Sequence, residues 1–185
     1  MSASTKEQRF QTMMLPHLNP AFNLARWLAR SNQDAEDIVQ EAYLRAFKFF
    51  DSFHGEDGRA WLLGIVRNTF YTWYQQNKTQ SLSTQFEEEL HSIQIDVDAA
   101  MQYADNNPEA QLIQKDSLQQ MYQAMKALPV EYREVMVMRE LEELSYKQIA
   151  GIIGIPMGTV MSRLGRGRKL LAEILASKNR VHDGS

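Results

Sequence analysis

Apolar residues recur at three- and four-residue steps along most of the chain, which is the spacing of amphipathic helices. No convincing pair of segments has the two-residue alternation of strands, so the pattern predicts an all-α fold. The clearest helix covers residues 34–50, where acidic residues open the segment and basic residues close it, as the helix dipole favours. A turn rich in Gly and Asp at residues 51–59 separates it from a second helix, predicted from about Ala60 to Asn77.

Residues 81–107 have scattered apolar positions without a sustained period, which is typical of a linker. After them, Asn107 and Pro108 supply an N-cap and a first-turn proline for another helix. The length of 185 residues therefore divides into two small helical domains, residues 1–80 and 108–185, joined by an acidic flexible linker.

A helix-turn-helix pattern lies near the C-terminal end of the second domain. Ser145 and Gln148 form a capping-box pattern ahead of a short apolar helix, and Gly154 matches the left-handed residue that ends a helix. A turn at residues 155–156 and a longer basic helix, from about residue 157 to residue 176, complete the pattern. The C-terminal domain is therefore predicted to be a helix-turn-helix.

One face of the basic helix carries groups suited to DNA: Thr159, Ser162, Arg163, Arg166 and Lys169. Arg side chains can read guanine edges, while Lys, Ser and Thr can hold phosphates. A solvated basic helix end is the alternative that the pattern leaves open. Gly165 and Gly167 weaken this helix by about 1 kcal/mol each relative to Ala, with close backbone approach and tolerated weakness both open as explanations.

The helix from Ala60 interleaves aromatic and basic residues along one face: Gly64, Arg67, Tyr71, Tyr74 and Lys78. Aromatic faces stack on unpaired bases and cations follow the backbone, so this face suits a single strand. The alternative is an ordinary amphipathic helix whose aromatic residues belong to the core. We expect Tyr71 and Tyr74 to be exposed, and Trp61 and Trp73 to be core residues.

The charge of the chain supports a nucleic-acid partner only when it is counted separately for each segment. The formal net charge is −3. However, residues 81–110 hold seven acidic residues and no Lys or Arg. The remainder has 20 basic and 16 acidic residues, so two basic domains with separate basic surfaces flank an acidic linker.

Four segments together resemble the extracytoplasmic-function (ECF) sigma factors of the bacterial sigma-70 family. Residues 34–47 (DAEDIVQEAYLRAF) resemble the segment that docks on core RNA polymerase. Residues 59–69 (RAWLLGIVRNT) resemble the promoter-melting helix. The segments that resemble the C-terminal DNA-binding domain are residues 128–129, 132–134, 144–146, 149–150 and 155–164. The likeness covers roughly residues 20–78 and 108–175, in the order and spacing of the family.

The resemblance implies a polymerase-docking face on the first of these helices: Asp37, Gln40, Glu41 and Arg45. It also implies contacts with the clamp of the largest subunit of bacterial core polymerase and with the flap of the second largest. A solvated charged face is the alternative for these four residues.

The resemblance further implies which residues contact promoter DNA. Phe53 and His54 would line the pocket for a flipped base of the minus-10 element, since flipping costs a few kcal/mol that stacking must offset. The other residues implied to contact the minus-10 region are Arg67, Asn68, Tyr71, Tyr74 and Lys78. Those implied to contact the minus-35 element are Thr159, Ser162, Arg163, Arg166 and Lys169. Met161 departs from the family, which often has a basic residue there, so promoter preference stays open.

The resemblance also implies an anti-sigma protein as partner, one that would clamp the two domains. The chain has no cysteine, so a thiolate metal site and thiol-based sensing are excluded from it. The first thirty residues hold no apolar run long enough for a signal peptide or a membrane span. We therefore expect a cytoplasmic protein, nucleoid-associated in the holoenzyme, without direct membrane insertion.

Other classes of function explain less of the sequence. An enzyme is not expected, because the four histidines are dispersed without ligand spacing and no nucleophile or phosphate-loop motif occurs; no metal or other cofactor is expected either. A helix-turn-helix regulator acting on duplex DNA without polymerase would leave the aromatic helix without a role. A helical adaptor would use methionine-rich faces: Met121, Met125, Met136 and Met138.

Overall fold

The computed structural model describes residues 4–77 and 108–184, with side chains described in the second range from residue 115 onward except at residue 182. Its helices are α1 Lys6–Met14, α2 Leu18–Leu28, α3 Asn32–Phe49, α4 Gly58–Asn77, α5 Pro108–Ala127, α6 Val130–Met136, α7 Tyr146–Ile153 and α8 Met157–His182. Three-residue 3₁₀ turns occupy Leu15–His17 and Phe50–Ser52, and a π-helical turn, Val137–Leu141, extends α6. No strand occurs in the two described ranges, and the predicted all-α fold is confirmed. Lys78 and the predicted linker, residues 81–107, lie outside the described residues.

The first two helices are elements that the sequence pattern did not predict. Thr5 opens α1 with a capping box, since its side chain accepts from the Gln8 N–H while Gln8 reaches back to the Thr5 N–H. Pro16 lies in the 3₁₀ turn and Pro20 in the first turn of α2, where an absent N–H breaks no helical hydrogen bond. The prolines therefore mark the junction between two helices.

The N-terminal half is built on α2, α3 and α4, which pack against one another. Leu24, Ile38 and Leu62, one from each helix, are almost completely buried. Each such side chain contributes about 1.5–3 kcal/mol through its removal from water. Phe10 of α1 adds edge-to-face ring contacts with Tyr43, Phe47 and Phe50, at centroid distances of 5.3 to 6.2 Å.

The C-terminal half confirms the predicted helix-turn-helix. Ser145 and Gln148 form both bonds of the capping box of α7, and Gly154 ends that helix at φ 79° and ψ 37°. Val160 and Leu164 hold α8 on the core. Met125, Met136 and Met138 are buried, and Met121 is 44% exposed, so three of the four methionines are unavailable as an adaptor surface.

The two halves pack against each other and share one continuous hydrophobic cluster. Helix α2 packs on α6 and α4 packs on α7. At the C-terminus of α2, Lys126 Nζ lies 2.7 Å from the carbonyl oxygen of Ala29, and Arg133 Nη1 lies 2.9 Å from that of Trp27. Cations at this position suit the negative end of the helix dipole. Apolar faces on the two halves therefore bury each other.

Among the helices of the described residues, none combines the length and apolarity that a membrane crossing needs.

Candidate functional site

Helix α4 carries most of the residues predicted to contact the minus-10 region. Asp57 caps it, with Oδ1 accepting from the Ala60 N–H at 2.9 Å. That backbone hydrogen bond lowers the pKa of Asp57, with help from Gln148 of α7, whose side chain donates to Oδ2 at 2.6 Å. Asn68 and Tyr74 are exposed, as a strand-binding face requires.

Arg67 lies in a buried ion pair with a residue of the other half. Its Nε donates to Oε2 of Glu134 at 2.7 Å and its Nη2 donates to Oε1 at 3.1 Å. Glu134 is 0% exposed and the Arg67 side chain 17%. Burial acts to lower the pKa of Arg67, but the hydrogen bonds and charge of Glu134 outweigh it, so the pKa is raised.

Tyr71 belongs to the same cluster. The Arg67 guanidinium lies 4.6 Å from the centre of its ring. Burial, followed by the negative charge of Glu134, raises the pKa of Tyr71 to about 12. The prediction that Tyr71 is exposed is wrong, because its side chain is half-buried against the hydrophobic cluster. Trp61 and Trp73, expected in the core, are also only half-buried.

The turn between α3 and α4 holds the two residues predicted to line a base pocket. Phe53 is half-buried, with its ring centre 4.8 Å from that of Trp61 and 6.5 Å from that of Phe50. His54 is exposed beside it. The turn thus combines an aromatic ring held by its neighbours with an exposed imidazole.

The predicted minus-35 face lies on α8, directly after the helix-turn-helix turn. Ser162, Arg166 and Lys169 are exposed, and Thr159 is half-buried. Arg163 is partly buried, with Nη1 4.0 Å from Oε1 of Glu134. Three of the five predicted residues therefore form an exposed face, while Arg163 turns toward the core.

The predicted docking face on α3 is exposed and borders an apolar groove. Asp37, Gln40 and Glu41 are exposed, and Arg45 Nε donates to Oε1 of Glu41 at 3.0 Å. The groove, of about 470 Å³, is lined by residues of α1, α2, α3 and the turn between the first two helices, among them Leu15, Leu18, Phe22, Gln40 and Leu44. Leu15, Leu18 and Leu44 are 45 to 63% exposed, so the groove presents apolar surface to solvent.

Sequence reasoning missed two features of the candidate site. The groove was missed because α1 and α2 were not predicted, although Leu15 and Leu18 beside Pro16 were the available signal. Glu134 was noted only as part of the run at residues 132–134. Its place between two basic helices depends on tertiary packing, so no local pattern reports it.

The comparisons with known proteins cover both halves. The family profile of sigma-70 region 2 matches residues 13–80, and that of sigma-70 region 4 matches residues 118–171. The ECF RNA polymerase sigma-E factor of Escherichia coli strain K12 is 30% identical over 139 residues, which are 75% of this chain and 72% of that protein. The ECF RNA polymerase sigma factor SigE of Mycolicibacterium smegmatis is 30% identical over 161 residues, 86% of this chain and 59% of that protein.

Two solved structures have the same fold. One is the sigma factor RpoE of Bartonella quintana in complex with the anti-sigma factor NepR, at a TM-score of 0.67 and 26% identity, covering 91% of this chain and 97% of that chain. The other is CnrH in complex with the cytosolic domain of CnrY, at a TM-score of 0.61 and 20% identity, covering 92% and 90%. Sequence and fold agree across both halves: this chain belongs to the ECF RNA polymerase sigma factors of the sigma-70 family, which bind core polymerase, recognise the minus-35 and minus-10 elements and assist promoter opening.

Proposed function

We propose a division of this sigma-factor activity among three parts of the chain. Residues 1–80 dock on core polymerase and bind the minus-10 region, residues 81–107 connect, and residues 108–185 bind the minus-35 element. The observation that carries the proposal is the exposed polar face of α8, which follows the left-handed turn at Gly154. A recognition helix placed this way enters the major groove, where side chains reach base edges.

Within the minus-35 face, Arg166 is the residue assigned to base reading. Its side chain is exposed, and it lies on α8 between Ser162 and Lys169, which supply phosphate contacts. Thr159 supports this face from the start of the helix. Arg163 contributes to this face indirectly. It lies on the inner side of α8, where its positive charge balances that of Glu134.

The minus-10 surface is assigned to α4 and the turn before it. Asn68, Tyr74 and His54 are exposed there, and Phe53 forms a wall that its contact with Trp61 holds in place. Stacking on such rings contributes about 1–3 kcal/mol per base. Arg67, Tyr71 and Lys78 complete the assigned minus-10 set.

The docking face for core polymerase is assigned to α3 and the groove beside it. Charges at Asp37, Glu41 and Arg45, the first two exposed and the third half-buried, surround the apolar surface near Gln40 and Leu44. Interfaces combine an apolar centre with a polar rim in this way, so the clamp of the largest subunit fits this face. The flap of the second-largest subunit is assigned to the C-terminal half.

An anti-sigma protein is the proposed regulator. The sigma factor RpoE of Bartonella quintana, which has the same fold, forms a complex with the anti-sigma factor NepR. Here such a partner would hold the two halves together and cover α3. The proposed location is the cytoplasm, with the nucleoid as the site of the holoenzyme.

The test uses core polymerase without sigma and a library of candidate promoters. The wild-type protein is expected to give promoter-specific transcripts, and Arg166→Ala to lose about 1–3 kcal/mol of discrimination at the minus-35 element. Arg168→Ala is the matched control, because Arg168 lies on the opposite side of α8 and pairs with Glu140 at 2.6 Å. Equal losses in both variants would remove Arg166 from base reading. Duplex binding without binding to core would favour a regulator that acts without polymerase.

A further inference from the structure

The carboxylate of Glu134 joins the two halves of the molecule at residues assigned to DNA. Glu134 lies on α6 of the C-terminal half and is fully buried. It accepts two hydrogen bonds from Arg67 of α4, at 2.7 Å from Nε and 3.1 Å from Nη2. Its charge also acts on the phenol of Tyr71, one turn further along α4. One acidic side chain of the C-terminal half thus engages two residues of the proposed minus-10 surface.

We propose that Glu134 is a latch that keeps the uncomplexed protein closed and withholds Arg67 and Tyr71 from the minus-10 strand. The latch rests on the minus-10 role proposed above for these two residues. A guanidinium donating from Nε and Nη2 presents to a carboxylate the same edge that it presents to a phosphate. Arg67 therefore cannot donate through that edge to Glu134 and to a DNA phosphate at the same time. Binding of the strand must displace the carboxylate.

Arg163 explains how the latch opens without leaving Glu134 as an unpaired buried charge. Its Nη1 lies 4.0 Å from Oε1 of Glu134, within the same half of the molecule. Removal of one partner from a buried pair is strongly destabilising when nothing replaces it. Because Arg163 retains a counter-charge for Glu134, the C-terminal half can separate from α4 with an ion pair of its own. The closed form, in which Arg67 pairs with Glu134, and the open form, in which Arg163 does, are then two conformations in equilibrium.

Other contacts between the halves support closure through residues that are not in the assigned DNA-binding sets. Lys126 Nζ lies 2.7 Å from the carbonyl oxygen of Ala29, and Arg59 Nη2 lies 2.9 Å from Oε2 of Glu142. Substitution at Lys126 therefore weakens closure while the minus-10 residues stay intact. Closure can therefore be weakened by substitution at Glu134, which forms the latch, or at Lys126, which lies away from it.

The first measurement is the distance between the halves in the full-length, uncomplexed protein. The chain has no cysteine, so Gln11→Cys on α1 and Ala172→Cys on α8, both at exposed sites, take a donor and an acceptor dye specifically. Single-molecule energy transfer is expected to show one dominant closed population. Glu134→Gln should shift the closed-to-open ratio by about tenfold or more toward the open form.

The matched control for charge is Glu140→Gln. Glu140 also lies in the C-terminal half, but it pairs with Arg168 of that same half. This variant removes the same charge and is expected to leave the distance distribution unchanged. An equal shift in both variants would overturn the latch in favour of general electrostatics.

The second measurement is binding of a single-stranded oligonucleotide that carries the minus-10 sequence of the non-template strand. Glu134→Gln should bind it about tenfold more tightly than the wild-type protein, and the oligonucleotide should move the wild-type protein toward the open form. Oligonucleotide binding to a protein that remains closed would overturn the proposal.

Lys126→Met keeps the proposal testable where Glu134→Gln impairs folding of the C-terminal half. It should open the protein and raise oligonucleotide affinity with Arg67 and Tyr71 unchanged; opening without a gain in affinity would overturn the latch.

Transcription with core polymerase separates the latch from the proposed function. If the wild-type protein supports transcription and both variants keep the wild-type distance distribution, only the latch is overturned. If Glu134→Gln opens the protein but the wild-type protein gives no transcript, the promoter role is overturned.

Discussion

Gly167 of α8 lies directly against Tyr132 of α6: a Cβ added to Gly167 would be 3.4 Å from the Cβ of Tyr132 and 3.2 Å from Cγ of Met136. Gly165, two residues earlier, is exposed and has nothing within 4 Å of a Cβ added to it. The structure therefore gives a different reason for glycine at each of these two positions of α8. Gly167 permits close packing of two helices, and Gly165 is a local weakness of α8.

Alanine at the two positions should separate these causes. Gly165→Ala is expected to raise the free energy of unfolding by about 1 kcal/mol, because alanine is the better helix former and its methyl group meets open space. Gly167→Ala should give no such gain, because the methyl group crowds the side chains of Met136 and Tyr132, at 3.2 and 3.4 Å. Urea denaturation followed by circular dichroism measures both changes. Equal stabilisation by the two variants would contradict the packing role of Gly167.

Glu143 holds a backbone conformation that its side chain disfavours. Its φ is 54°, in the left-handed region, where the chain leaves the π-helical turn after α6. Left-handed backbone costs a residue with a Cβ about 1–2 kcal/mol. Glu143→Gly is therefore expected to stabilise the protein by up to about 1 kcal/mol. Glu131→Gly, at an exposed position in the first turn of α6, should destabilise by about 0.5–1 kcal/mol in the same urea experiment.

The helix-turn-helix was predictable because its signals are local. Ser145, Gln148 and Gly154 act on their own backbone, so residue type and spacing suffice to place them. The buried face of α3 followed from helical periodicity in the same way. Exposure of Tyr71 was mispredicted, because it interacts with Glu134, which lies 63 positions further along the chain. Contacts of that kind depend on how the two halves pack, which no local pattern encodes.

Tyr71 also provides a pH signature of the closed form. Folding raises its pKa from 10.0 to about 12, mainly through burial and then through the charge of Glu134. Folding therefore favours the protonated phenol. The stability contribution of Tyr71 is complete below its unfolded pKa of 10.0 and is lost as the pH rises toward about 12.

An absorbance titration of the phenolates measures this shift. Tyr43, which donates to the carbonyl oxygen of Met14 at 2.9 Å, also has its pKa raised by burial to about 12. Tyr71→Phe should reduce the late-titrating amplitude. Glu134→Gln should move Tyr71 to earlier titration and leave Tyr43, which lies in the N-terminal half away from Glu134, unchanged. An undiminished late amplitude in Tyr71→Phe would contradict the assignment.

Leu44 tests the docking face on α3 with little risk to the fold. Its side chain is 63% exposed at the groove, so Leu44→Ser should change the free energy of unfolding by no more than about 0.5 kcal/mol. Loss of its apolar contact should nevertheless weaken binding to core polymerase by about 1–2 kcal/mol, since side chains at the centre of an interface carry most of the binding energy. Val181→Ser is the matched control, because Val181 is 74% exposed near the end of α8. Competition against labelled wild-type protein for core polymerase measures both variants. If they compete equally well, the groove does not bind the clamp.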